Sequence, residues 1–193
     1  MEKFEGLKDG SSVLLRELTM DDFDSSLAFL KALPATDRRY LRVDVTRKEI
    51  VERRLKQAAA GDVYRIAAFV DDVIVADGAL ETSGHDWSRH IGEIRVLVAE
   101  DYRSLRLGTI LIGELFLEAE RQMVEKVIVK MAEQQIAVRK ICDRLGFRVD
   151  AVLPDHFKDA EGMVGNLVVM SCTLDAMWRE MRDLYPKDDW PDG

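Results

Sequence analysis

Cysteine and histidine are scarce in this chain of 193 residues, and neither is spaced as metal ligands usually are. The two cysteines, Cys142 and Cys172, stand far apart, and the three histidines, His85, His90 and His156, form no zinc-binding pattern. The sequence therefore predicts a protein without a bound metal. So few cysteines also suit a reducing compartment, and we expect a cytoplasmic protein.

Long apolar runs and an excess of basic residues are also missing. No stretch approaches the roughly 18–20 apolar residues that cross a bilayer, and the N-terminus is acidic, unlike a signal peptide. Acidic residues outnumber basic residues by 36 to 28, and the formal charge of −8 argues against a nucleic-acid binder. The sequence thus predicts neither a membrane nor a nucleic-acid partner.

The composition, with 47% apolar and 33% charged residues, is that of a globular domain with a full-size core. Apolar periodicity predicts a mixed α/β domain, with a terminal helix and polar tail over 175–193 following a main domain over 1–174. We expect about seven strands, at 12–18, 64–70, 73–80, 91–98, 126–131, 147–153 and 166–174. We expect helices at 21–33, 47–60, 105–122, 133–145 and 175–185.

Turn residues support these boundaries. Pro34 is expected to end the first helix, and Gly61 and Gly146 to follow the ends of two others. Asp71–Asp72 separates two β-branched runs and predicts a tight hairpin. The polar segment 154–165 is expected to be a long turn.

The stretch 92–122 joins a predicted strand to a long apolar helix through a short polar and basic turn. The first N–H groups of a helix lack intrahelical partners, and the helix dipole favours negative charge there. Arg103 and Arg106 add two cationic side chains beside those amides. The stretch therefore predicts an anion site, suited to a pyrophosphate group.

Three motifs resemble those of the GNAT family of N-acetyltransferases. The segment Arg103–Thr109, RSLRLGT, is similar to the family's phosphate loop, and Leu145–Phe147 matches its Leu-Gly-Phe signature. Arg16 and Asp22 match an Arg-x-x-x-x-x-Asp start, so the resemblance covers about residues 12–174. It implies the GNAT fold, a mixed central sheet with flanking helices. It also implies acetyl-CoA as co-substrate, no metal, and acetyl transfer to a primary amine in a ternary complex.

A finer resemblance is to bacterial protein-lysine acetyltransferases. It rests on Glu93 and on the segment 38–42, RRYLR. Two positions depart from the family pattern. Arg106 stands where the first loop glycine is expected, and Cys142 stands where the family often has a tyrosine that protonates the leaving thiolate.

The resemblance assigns cofactor contacts to one strand and one loop. The strand contacts would be backbone groups of Val96, Leu97 and Val98. The loop contacts would come from Arg103, Ser104, Leu105, Arg106, Leu107, Gly108 and Thr109. The alternatives are a buried strand without a ligand and a solvated turn with two incidental arginines.

Catalytic roles are assigned by the same resemblance. Glu93 is the candidate general base, and the alternative is a salt bridge to Arg95 or to a neighbouring strand. Cys142 is a candidate proton donor, and the alternative is a packing role. Rival candidates for the proton donor are Tyr64, Tyr102 and His156. Candidate residues for the acceptor pocket are Tyr40, Asp86 and Trp87.

The expected acceptor is a small-molecule amine, or the lysine or N-terminal amine of a protein, and the acidic chain would favour a cationic one. The family resemblance also suggests a homodimer, formed through an exposed strand after Asn166. The competing hypothesis is a non-catalytic acyl-CoA-binding module, because Arg106 and Cys142 depart from the family pattern.

Overall fold

The protein is built on one mixed sheet of eight strands in the order β1-β2-β3-β4-β5-β6-β8-β7. The structure, a computed structural model, describes residues 2–82, 84 and 86–184, and the side chains as far as residue 180. Strand bounds are β1 (Glu2–Gly6), β2 (Ser12–Glu17), β3 (Val63–Val70), β4 (Val73–Thr82), β5 (Ile91–Val98), β6 (Lys126–Ala132), β7 (Arg148–Lys158) and β8 (Val164–Thr173). Neighbouring strands are antiparallel except β5 and β6, which are parallel.

Helices cover both faces of this sheet. Their bounds are α1 (Phe23–Ala32), α2 (Ala35–Arg38), α3 (Lys48–Ala59), α4 (Leu107–Arg121), α5 (Ile136–Arg144) and α6 (Leu174–Leu184). Side chains alternate along β3, so that Ile66 packs in a core with α4 while Phe69 packs in a second core with α1 and α3. The predicted mixed central sheet with flanking helices is confirmed, with eight strands instead of about seven.

Strand β1 is absent from the sequence prediction. Its sequence, EKFEG, contains no apolar run, and Phe4 is largely exposed. The strand pairs with β2 from Glu2–Arg16 to Gly6–Ser12, and Lys3 reaches across to Glu114 on α4, 2.8 Å from Nζ to Oε1. Backbone pairing and this ion pair therefore hold β1, without the buried apolar face that sequence patterns detect.

The Arg16–Asp22 motif fixes the start of α1 against β2. The two guanidinium nitrogens of Arg16 donate to the two Asp22 carboxylate oxygens at 2.6 and 2.8 Å, and the Arg16 guanidinium lies 3.9 Å from the Phe69 ring centroid. Asp22 also accepts the Thr19 backbone N–H at 2.8 Å, which completes a capping box. The Arg16–Asp22 motif is thus explained by its structural role, which is to hold the start of α1 against β2.

Beneath α3, a buried carboxylate joins two arginines. Arg65 donates to Asp77 at 2.6 Å and Arg54 donates to its other oxygen at 2.8 Å, and both Arg65 and Asp77 are buried. Burial alone would raise the pKa of Asp77, but Arg65 and Arg54 hold it below its usual value. The three side chains attach α3 to β3 and β4.

The sheet opens between β5 and β6. Their ladder consists of three residue pairs and ends at Glu93–Ile128, although β5 continues to Val98 and β6 to Ala132. Beyond that point β5 stays paired with β4 as far as Val98, and β6 stays paired with β8 as far as Ala132. Because each strand follows its other neighbour, a gap forms between them, with Glu93 at its closed end.

The predicted turn at 154–165 was wrong, because most of it is strand. β7 runs to Lys158 and β8 starts at Val164, with a register shift between Leu153 and Phe157. A Cβ atom at Gly165 would lie 2.6 Å from the Phe157 ring, so glycine leaves room for that ring across the hairpin. The strand predicted after Asn166 is present as β8, but it is not an exposed edge as expected, since β8 lies between β6 and β7 and the sheet edges are β1 and β7. The homodimer stays a prediction.

Other boundaries agree with the structure. Pro34 follows the end of α1, and Asp71–Asp72 forms the hairpin turn with positive φ at both residues. Gly61 and Gly146 adopt φ of +77° and +81° after α3 and α5. Met177 of α6 is fully buried in the main core, and the predicted polar tail from residue 186 lies outside the described residues.

Candidate cofactor and acceptor site

The gap between β5 and β6 presents backbone groups of β5. The Ala99 N–H bonds to the Val75 carbonyl on β4 at 2.8 Å, and backbone direction alternates along a strand. Val96 and Val98 therefore direct their N–H and C=O groups towards the gap, whereas those of Leu97 face β4. The Leu97 side chain packs instead in the core formed with α1 and α3. Of the three strand residues predicted to contact a cofactor, two are placed to offer backbone bonds.

The predicted phosphate loop leads from the end of β5 to the first turn of α4. Ser104 and Arg106 both have left-handed φ, of +66° and +70°, and α4 begins at Leu107. The Arg106 carbonyl accepts the N–H of Thr109 at 2.9 Å, and the Leu105 carbonyl accepts the N–H of Lys8 from the β1–β2 turn at 3.3 Å. Left-handed residues next to right-handed ones can direct successive N–H groups to one side, as in anion-binding concavities, and anion binding by this loop stays a prediction.

The conformation of Arg106 accounts for the glycine expected at this position from the family resemblance. Its φ of +70° and ψ of −1° are a conformation that glycine adopts at no steric cost and that an L side chain resists. The arginine side chain is exposed. Gly108, two residues later, has an ordinary conformation, and a Cβ atom added there would lie 3.6 Å from a Val98 methyl group.

Arg103 folds back over the open end of the gap. Its Nε and one terminal nitrogen each lie 3.3 Å from the Val98 carbonyl oxygen, and that terminal nitrogen also bonds to Asp37 of α2. The side chains of Arg103 and Asp37 remain partly exposed. A phosphate at the loop would therefore meet an arginine whose charge is already shared with a carboxylate.

Glu93 lies at the closed end of the gap and contacts three cations. Lys130 Nζ is 3.0 Å from Oε2, Arg95 Nε is 3.3 Å from Oε1, and Arg42 bonds to the same Oε1. Only 11% of the Glu93 side chain is exposed. Burial by itself would raise the pKa of Glu93, but the Lys130 hydrogen bond and the charges of Arg42 and Arg95 lower it below its ordinary value. The salt bridge to Arg95 is present, together with two further ion pairs.

We call residues 35–42 the α2 segment, because its side chains reach several parts of the gap. Asp37 contacts the phosphate loop through Arg103, and Arg42 contacts Glu93. Arg39 Nε lies 2.5 Å from Asp159 Oδ2 at the β7–β8 turn, and the Arg39 carbonyl accepts the Ala160 N–H at 3.3 Å. The segment thus crosses the gap from the phosphate loop to the β7–β8 hairpin.

The candidate proton donors occupy different surroundings. Cys142 is 4% exposed and packs in the main core, where burial raises the pKa of its thiol to about 12. A thiol held in this way keeps its proton, which favours the packing interpretation. Burial also raises the pKa of Tyr64, and Tyr102 is half-buried between β5 and the phosphate loop. His156 is an exposed residue of β7 and not a loop residue as predicted.

The residues predicted to line the acceptor pocket separate into two groups. Tyr40 belongs to the α2 segment and meets Phe157 edge-on, with ring centroids 6.2 Å apart. Asp86 and Trp87 are exposed in a short 3₁₀ turn between β4 and β5. Sequence reasoning missed Asp37 and Lys130, whose contacts are made 66 and 37 residues away along the chain, and no local pattern indicates them.

Two further observations concern ligands and membranes. Among the described residues, no group of three or more histidine, cysteine, aspartate or glutamate side chains is arranged to hold a metal ion. Within the same part of the chain, no helix combines the length and the apolar character needed to cross a membrane.

Comparison with known proteins adds to this geometry. A model described as the Acetyltransferase (GNAT) family matches residues 28–147. Acetyltransferase PA5475 of Pseudomonas aeruginosa is 31% identical over 151 residues, covering 74% of this chain and 78% of that protein.

Solved structures share the fold at lower sequence identity. The yncA protein of Salmonella typhimurium, determined with its cofactor acetyl-CoA, has a TM-score of 0.73 at 19% identity and covers 86% of this chain and 95% of that chain. The ribosomal-protein-alanine N-acetyltransferase of Brucella melitensis has a TM-score of 0.72 at 20% identity and covers 82% of this chain and 98% of that chain.

Proposed function

Because the chain belongs to the acetyltransferase (GNAT) family, as its motifs predicted, we propose that it transfers the acetyl group of acetyl-CoA to a primary amine. The observation that carries the proposal is the gap in the sheet, which opens directly beyond Glu93 and ends at the phosphate loop. The amine would attack directly in a ternary complex, and no covalent enzyme intermediate is involved.

The cofactor contacts follow from the backbone. Val96 and Val98 would hydrogen-bond the extended arm of acetyl-CoA as a neighbouring strand would. The amides of the loop 103–109 would bind its pyrophosphate at the start of α4, assisted by the charges of Arg103 and Arg106. The remaining loop residues contribute backbone N–H groups and shape.

Acetyl transfer requires a neutral amine. The nitrogen lone pair forms the new C–N bond, the C–S bond breaks with its electron pair on sulfur, and the proton lost by nitrogen balances the one gained by the thiolate. Arg42, Arg95 and Lys130 outnumber the single Glu93 carboxylate that they contact, so their charges would favour the neutral form of a bound amine. We propose that Glu93 accepts a hydrogen bond from this amine and relays its proton, directly or through water. We assign no catalytic role to Cys142.

The test combines binding with turnover. Acetyl-CoA is titrated by calorimetry, and thiol release is then followed with a panel of amines. We expect binding, turnover with part of the panel, and a loss of about 10- to 100-fold in kcat for Glu93→Gln with unchanged acetyl-CoA affinity. Glu52→Gln is the matched control, since Glu52 is an exposed glutamate of α3 that pairs with Lys56.

The outcomes distinguish an active acetyltransferase from a non-catalytic acyl-CoA-binding module. Binding without thiol release from any amine, and no effect of Glu93→Gln, would support the non-catalytic acyl-CoA-binding module. Three cations already on Glu93 are the observation that favours this second candidate. Absence of acetyl-CoA binding would exclude both.

A further inference from the structure

Basic side chains concentrate around Glu93, although the chain as a whole is acidic. Arg42, Arg95 and Lys130 contact Glu93, and Arg95 also pairs with Glu81. Three cations therefore face two carboxylates, a local charge of +1 in a chain of net charge −8. The whole-chain charge favoured a cationic acceptor, but the local charge argues for an acceptor with an anionic group.

The buried ion cluster beneath α3 extends this positive region. Arg54 and Arg65 share the single carboxylate of Asp77, which leaves one more positive charge than negative charge there. Arg65 and Arg95 are close enough for their positive charges to repel each other. The Arg65 Nε–H has no hydrogen-bond partner within the described residues. Both clusters thus contribute positive potential to the same region of the sheet.

Accessibility shows which groups a ligand would meet. The side chains of Arg42 and Arg95 are 49% and 43% exposed, whereas that of Glu93 is 11% exposed. An incoming carboxylate therefore reaches guanidinium groups first, and a guanidinium binds a carboxylate through paired N–H donors. The buried Glu93 carboxylate remains as the acceptor for an ammonium or amine N–H.

One small molecule can supply both the carboxylate for the guanidinium groups and the amine for Glu93. Arg95 Nε is 3.3 Å from a Glu93 oxygen, and Arg42 bonds to that same oxygen. An amine placed on Glu93 therefore lies within a few bond lengths of both guanidinium groups. In an amino acid, the amine and the carboxylate are separated by a single carbon.

We propose that the acceptor is a small primary amine that also carries a carboxylate, as an amino acid does, and that Arg42 and Arg95 bind this carboxylate. The assignment rests on the proposed acetyl transfer and names the acceptor class of the same site. Arg42 and Arg95 are then the residues that determine acceptor specificity.

Matched acceptor pairs provide the kinetic test. Thiol release is measured for phenylalanine against 2-phenylethylamine, and for lysine against 1,5-diaminopentane, which differ only in the carboxylate. We expect kcat/KM to be at least about 10-fold higher for the carboxylated member, mainly through KM. Arg42→Ala and Arg95→Ala should bring this ratio towards 1, and Arg42→Lys should restore part of it. Arg47→Ala, which removes an exposed arginine paired with Glu49, should retain the ratio.

A binding comparison keeps the acceptor class testable without turnover. Calorimetry in the presence of CoA compares N-acetylphenylalanine with N-acetyl-2-phenylethylamine, and tighter binding of the first by about 10-fold is expected. Equal affinities, or equal kcat/KM within the acceptor pairs, would overturn the carboxylate assignment. Thiol release from no amine would refute the proposed transfer, while the calorimetric comparison would still decide the ligand class.

Discussion

The left-handed conformation of Arg106 leads to a prediction about stability. At φ +70° an L residue is strained by roughly 1–2 kcal/mol relative to glycine, because its Cβ crowds the following carbonyl oxygen. Glycine loses about 0.5–1 kcal/mol more backbone entropy on folding, which offsets part of this gain. Arg106→Gly should therefore be more stable than Arg106→Ala by about 0.5–1 kcal/mol.

Comparing glycine with alanine isolates the backbone. Both substitutions remove the same guanidinium with all of its interactions, so their difference reports the conformation of residue 106. The assay is chemical denaturation, supported by thermal unfolding, in which a chain of this size shifts by about 2–4 °C per kcal/mol. Gly78→Ala is unsuitable as a reference because a Cβ there would lie 3.3 Å from a Leu115 methyl group.

The same pair of variants tests the role of the arginine charge. If the guanidinium contacts phosphate, both should bind acetyl-CoA more weakly than the wild type, by about 1–2 kcal/mol. Arg106→Gly should bind at least as tightly as Arg106→Ala, since it holds the loop without strain.

Equal stabilities of the two variants, or a more stable alanine variant, would refute the strain argument.

Three further predictions concern carboxylates. Asp37→Ala should tighten acetyl-CoA binding several-fold by calorimetry, because Arg103 loses its internal competitor; weaker binding would contradict this. Asp22→Asn should cost about 1–3 kcal/mol at pH 7 in urea denaturation. Arg16 lowers the pKa of Asp22, so its contribution is present above the unfolded pKa of about 3.9 and lost as the pH falls through the lower folded value. A deficit that did not shrink as the pH was lowered would refute this. Asp77→Ala should cost about 3–5 kcal/mol, since two arginines are left uncompensated, and a cost below about 1 kcal/mol would contradict it.

Local sequence patterns predicted most of the fold. Seven of the eight described strands and five of the six described helices came from apolar periodicity and turn residues, because burial imposes a period of about two or 3.6 residues. The short helix α2 was not predicted. β1 was missed because its half-buried positions are Lys3 and Glu5 while Phe4 is exposed, so that its sequence carries no apolar period. The β7–β8 turn was predicted too long because the polar residues of an exposed hairpin resemble those of a loop.

The candidate site, like the fold, was predicted only in part from the sequence. The strand–turn–helix setting of the predicted phosphate loop could be recognised because these three parts are contiguous in sequence. The surroundings of Glu93 could not, since Arg42 and Lys130 are 51 and 37 residues distant and meet it only after the sheet has formed. The left-handed state of Arg106 was also hidden, because an arginine gives no sign of positive φ.

The opening of the sheet makes β5 an edge strand inside the domain. Past Glu93, no strand of the described residues pairs with the Val96 and Val98 amides on the β6 side, although β5 is the fifth of the eight described strands. Amide hydrogens there should exchange with solvent faster than those of Leu97, which face β4. A ligand lying in the gap would act as an added strand and slow their exchange. The sheet would then be continuous only when the ligand is bound.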